Sequence, residues 1–155
     1  MTRTVAYRLR NPAGGLAADL TAVRRPAVEP HSPGVRIHRN VCLGLPLGGL
    51  YWKDVAWLSF GVALSARALA ERFPEGITIQ VIALEASLSS YRSEVAALAM
   101  NQWVRGEFEL PMNDVGAAFD ATSGDYEFRW DGQEQPFADP FRSGPPEGGK
   151  ADRSL

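Results

Sequence analysis

The chain is poor in the residues that build reactive centres. It has one cysteine, Cys42, and two histidines, His31 and His38. One cysteine excludes an intramolecular disulfide and fits a reducing compartment, so a cytoplasmic location is expected. With so few Cys and His, and no Cys-x-x-Cys or His-x-x-x-His spacing, no zinc site is expected. The acids are dispersed and lack the Asp-x-Asp-x-Asp-Gly loop of a calcium site. There is no Gly-Lys-Ser/Thr phosphate loop and no Gly-x-Gly-x-x-Gly fingerprint, so no cofactor is expected. Long apolar runs are missing too. The longest uncharged stretch, between Asp54 and Arg67, is too short to cross a bilayer and reads as a buried core helix, so no membrane partner is expected. No apolar run follows the charges of the N-terminus, so no signal peptide is expected.

What remains is ordinary globular material. The 155 residues are 45% hydrophobic and 22% charged, which suits one domain with a sizeable core. The net charge of −2 is unevenly placed: residues 1–40 carry seven arginines against two acids, residues 111–155 four bases against nine acids. Either the arginines mark a polyanion-binding face, or the two ends lie together and neutralise.

Residues 4–10 alternate as a half-buried strand, with Val5, Tyr7 and Leu9 on one side and Arg8 and Arg10 on the other. Residues 16–25 fit a short helix through Leu16, Leu20 and Val23, while a strand through 22–28 fits nearly as well. Residues 35–43 read as one strand, with Val35, Ile37, Arg39, Val41 and Leu43 on its apolar face and Arg36, His38, Asn40 and Cys42 on its wet face. A broad helix is expected over 52–73, with the small Ser59, Gly61 and Ser65 admitting a neighbour. Ile77–Leu84 reads as a central strand and Tyr91–Phe108 as a second helix. One or two helical turns are expected within 112–121. Tyr126, Phe128 and Trp130 form the aromatic face of a last strand. From residue 131 Pro, Gly and charge dominate, and a disordered tail over 131–155 is expected after one domain at 1–130. The fold class is α+β: a mixed, largely antiparallel sheet of four to five strands with two main helices packed on one face.

The candidate chemistry is thin. His38 and Cys42 are four apart on the expected strand, roughly 13 Å, too far for a hydrogen-bonded thiol–imidazole pair. Glu107, Glu109, Asp114 and Asp120 form no obvious acid–base pair. The turn Gly44…Gly48-Gly49, with Lys53 beyond it, could cradle an anion at a helix N-terminus, or be a plain tight turn. Arg39 stands out on an apolar strand face, where a buried guanidinium needs an acidic partner or ligand.

The strand before Gly48-Gly49, then Lys53-Asp54, an Ala-rich helix, the strand 77–84 and a helix opening at Ser93-Glu94 resemble the fourth domain of elongation-factor-G-like translational GTPases. The likeness covers about residues 35–108. It implies a left-handed βαβ fold and an RNA-touching loop at Glu85–Tyr91. That loop has no basic tip here, and no GTPase domain is expected within these 155 residues.

The leading expectation is therefore a non-enzymatic interaction module that binds a protein partner or self-associates. The first alternative is an RNA- or ribosome-contacting protein using Arg8, Arg10, Arg36 and His38. The second is a small-molecule enzyme or ligand binder, with Tyr51, Trp52 and Trp57 at a pocket mouth and Arg39 inside.

Overall fold

In the computed structural model the described residues are 1–27 and 33–137. His31 and residues 138–155 of the expected tail lie outside them. The fold is α+β, as the patterning predicts. The element order is β1 (Arg3–Leu9), β2 (Leu16–Pro26), β3 (Gly34–His38), β4 (Val41–Gly44), α1 (Trp52–Ala63), α2 (Ala66–Arg72), β5 (Ile77–Glu85), α3 (Glu94–Glu107), β6 (Val115–Asp120) and β7 (Asp125–Trp130). Strands 1 to 5 form one sheet in the order β1-β2-β5-β4-β3, and β6 and β7 form a separate ribbon. All pairings are antiparallel except β4 with β5. The α1–α2 crossover joins that parallel pair, as a parallel connection requires.

One face of the sheet makes the core. Leu20, Ala22, Val41, Leu43, Ile79 and Val81 are fully buried there, against Leu58 and Val62 of α1 and Leu98, Met100 and Trp103 of α3. α1 meets α3 at Gly61, where an added Cβ would lie 2.8 Å from the Ala97 carbonyl oxygen and 2.7 Å from the Met100 Cβ. The Trp103 indole N–H donates to the Arg3 carbonyl at 3.1 Å, pinning α3 to the edge strand β1. The ribbon adds Trp130, its ring 5.4 Å from that of Trp57 and edge-on to Phe60 at 5.2 Å. The opposite sheet face carries Thr4, Ala6 and Arg8, all exposed, and among the described residues no helix covers it.

Four local expectations change. Residues 16–26 are strand throughout. Leu16 and Leu20 suit a helix face, but four is an even spacing, so they also share a strand face, and Ala18 and Ala22 complete it. Residues 115–120 are strand rather than helix. Gly116, Ala117 and Ala118 have little strand preference, and pairing with the aromatic β7 decides their conformation. Asn113, ahead of this strand, pairs its amide with that of the buried Asn101. The long helix breaks at Leu64-Ser65, where the Ser65 N–H bonds back to Val62 at 3.0 Å. Finally, residues 35–43 are not one strand but the hairpin β3–β4, with a register shift between Arg36 and His38. Arg39 is an exposed turn residue at φ 48°, not a buried strand residue.

The first residues of the expected tail are packed: Phe137 lies 5.8 Å from the Trp52 ring and 5.6 Å from Trp57. The charged ends do not neutralise each other by ion pairing among the described residues. Arg3 and Arg24 reach Glu107, Arg8 reaches Asp19, and the late acids Asp114 and Asp125 are held by Arg129 and Arg92.

Candidate functional site

The strands β4 and β5 run parallel; β4 ends at Gly44, level with Gln80, and β5 runs on in the same direction to Glu85. Ligand sites in sheets with parallel strands commonly lie beyond the carboxyl ends of those strands. Here the loops are 45–51, leading into α1, and 86–93, leading into α3. Between them lies a cleft of about 580 Å³ lined by Gly48, Gly49, Leu50, Tyr51, Asp54, Leu84, Ala86, Leu88 and Tyr91.

Both loops are held by local bonds. The Gln80 side chain lies over Gly44, where a Cβ would collide with it, and donates to the Leu45 carbonyl at 3.0 Å. The Gly49 N–H closes a turn on the Pro46 carbonyl at 2.9 Å, and Gly49 sits at φ 71°, a left-handed conformation that suits glycine. On the other side, the Ser90 N–H bonds to Ser87 at 3.0 Å, and the Ser90 carbonyl accepts from Ala17 at 2.9 Å, tying the loop to the start of β2.

Across the cleft floor the Tyr91 hydroxyl donates to the Asp54 carboxylate. Burial pushes the Tyr91 phenol well above the ordinary tyrosine range, and the Asp54 acceptor and the nearby Glu94 push the same way. The phenol therefore stays a neutral donor, and Asp54 remains an acceptor in the first turn of α1, where the helix dipole favours negative charge. That arrangement fills the helix start with a carboxylate and disfavours an anion in the glycine turn. Lys53 points its ammonium over the Trp52 ring, 5.6 Å from its centre.

The rim is apolar. Tyr51 and Leu88 line the cleft at 83% and 97% exposure, and Leu47 (98%) and Trp52 (67%) flank the same loop and helix start. Of the residues expected at a pocket mouth, Tyr51 lines this cleft and Trp52 follows it at the start of α1. Trp57 is buried beneath, against Trp130 and Phe137. Arg39 is not in the pocket: it sits at the β3–β4 turn, at the opposite end of β4 from loop 45–51.

The remaining candidates do not converge. Arg8 pairs with Asp19 at 2.7 Å and donates to the Ala18 carbonyl at 3.3 Å, beside a hollow of about 460 Å³ shared with Glu85 and Ser87. Arg10 lines a smaller hollow of about 220 Å³ at the β1–β2 turn. Arg36 lies opposite Cys42 on the far edge strand, and His38 is exposed at the hairpin end. β1 and β3 are the two edges of five strands, so Arg8 and Arg36 stand at least about 19 Å apart by strand spacing. Of the four acids, Glu107 and Asp114 are in ion pairs, and Asp120 accepts from the Thr122 N–H at 2.9 Å in a turn. Among the described residues no three His, Cys, Asp or Glu side chains gather as metal ligands, and no helix is long and apolar enough to cross a membrane.

Asp54, Tyr91, Leu47 and Leu88 escape sequence reasoning. The one usable signal is the strand–helix–strand order from 41 to 85, which predicts a crevice after each parallel strand but not which side chains face it. No protein-family model, no curated protein and no solved structure matches this chain.

Proposed function

We propose that this protein is a non-enzymatic interaction module that seizes a partner protein in the cleft between loops 45–51 and 86–93. One observation carries the reading: Leu47, Tyr51, Trp52 and Leu88, four of its most exposed large apolar side chains, belong to the two loops and helix start that frame one cleft. Contiguous exposed apolar surface of this kind marks interaction sites, and Tyr and Trp are the side chains that most often dominate binding energy. The polar floor supports binding over catalysis. The Tyr91 hydroxyl is held by Asp54, burial keeps its phenol protonated, and beside that pair only the exposed Tyr51 brings an ionisable side chain to the lining. A half-buried free thiol at Cys42 suits a reducing, cytoplasmic setting.

The test is selection from a random peptide display library on the full chain, with the double variant Tyr51→Ser/Leu88→Ser as counter-target. Peptides that hold the wild type and release the variant are the expected product. Peptides that hold both equally would remove the cleft as the binding surface. Sedimentation equilibrium covers self-association: a wild-type dimer that dissociates in the double variant would make a second copy the occupant. An RNA- or ribosome-contacting role using the arginine face is the competing reading. It predicts RNA affinity that falls steeply with salt, and no RNA binding at low salt would end it.

A further inference from the structure

Granting the cleft as a protein-binding surface, we infer that the segment it accepts carries a basic residue directly beside an apolar one. The inference rests on that reading and concerns the occupant's chemistry. Of the nine lining residues, Asp54 alone is charged. It is half-buried, and the hydroxyl of Tyr91 is a single neutral donor for a group with two acceptor oxygens.

Among the described residues, the cations next in sequence to Asp54 and Tyr91 are turned elsewhere. Lys53 is spent on the Trp52 ring. Arg92 reaches Asp125 and Glu94, the latter at 3.6 Å, and its guanidinium lies 5.2 Å from the centre of the Phe128 ring. A half-buried carboxylate that no described cation pairs offers an incoming Lys or Arg a charge-assisted partner. The walls select what comes with it. Leu50, Leu84, Leu88, Tyr51 and the Tyr91 ring offer apolar contact in the same cleft as that one charge. An acidic segment is repelled by Asp54, and a purely apolar one leaves the carboxylate further desolvated and still unpaired.

The experiment uses the peptides selected above on the full chain, labelled with fluorescein and read by anisotropy. Enriched sequences should place Lys or Arg next to Leu, Ile, Met or Phe. Asp54→Asn should weaken the selected peptide about tenfold or more, as loss of a charge-assisted bond does, and should flatten its salt dependence. Tyr91→Phe, which keeps the carboxylate, should bind closer to wild type and retain the salt dependence. Selected peptides without a basic residue, or equal binding by Asp54→Asn and wild type, would overturn the inference. If binding in that case is still lost in Leu88→Ser, the cleft remains the binding surface and only the charge requirement falls. Peptides indifferent to Leu88→Ser, or a selection that enriches nothing, overturn both.

Discussion

Tyr91 donates its hydroxyl hydrogen to Asp54 across 37 residues of chain, and so joins the loop before α3 to the first turn of α1. Among the described residues it is the one side-chain hydrogen bond between lining residues of the cleft, and it links the lip that carries Leu88 to the lip that carries Tyr51.

Removing that tie should be measurable. Tyr91→Phe keeps the ring and leaves Asp54 without its donor in a half-buried place. The expected loss is about 1–2 kcal/mol, the usual cost of stranding a charged acceptor. A lower urea midpoint at unchanged slope is the result that fits; an unchanged midpoint would mean water serves Asp54 equally well.

The same phenol makes stability depend on pH at the alkaline end. Burial raises Tyr91 above the ordinary tyrosine range, and burial also raises Tyr7, opposed there by the nearby Arg129 charge. Above roughly pH 10 the unfolded chain gives up phenolic protons that the folded chain keeps. Stability from this source is therefore complete below that pH and falls as pH rises. Urea midpoints between pH 9 and 11 should drop for the wild type, and drop less for Tyr91→Phe.

At the α1–α3 crossing, Gly61 is set by contact rather than by backbone freedom. The Ala97 carbonyl and the Met100 Cβ stand where a methyl would go. Gly61→Ala should lower stability by about 1–3 kcal/mol through overpacking, despite the better helix propensity of alanine. A melting temperature equal to or above wild type would show that the two helices can separate freely.

Arg39 should behave as a turn residue. Its φ of 48° favours glycine, and its side chain is exposed. Arg39→Gly should raise stability by about 0.5–1 kcal/mol, seen as a slightly higher melting temperature. Arg39→Met should leave peptide binding in the cleft unchanged, because the turn lies at the other end of β4. Lost binding in Arg39→Met would restore this arginine to the site.

Local patterning was enough wherever one periodicity fitted and the other did not. Val5 and Tyr7 alternate with exposed neighbours, Ile77–Glu85 is a short β-branched run, and Tyr126, Phe128 and Trp130 turn one face inward, so β1, β5 and β7 were readable. α3 was legible within a few residues because Val95, Leu98, Ala99 and Trp103 repeat at helical spacing. Patterning failed where spacing was ambiguous or weak: Leu16 and Leu20 satisfy both repeats, Gly116 to Ala118 prefer neither, and the two-residue turn at Arg39-Asn40 hides inside an unbroken alternation.

From the order of residues alone follow the α+β class, the single apolar sheet face and the scarcity of reactive groups, since each depends on near neighbours or on composition. The cleft does not follow. Asp54 and Tyr91 meet only because β4 and β5 run parallel and release their next loops at the same end of the sheet. No periodicity encodes that meeting, because it arises from strand pairing between segments that are remote in the chain.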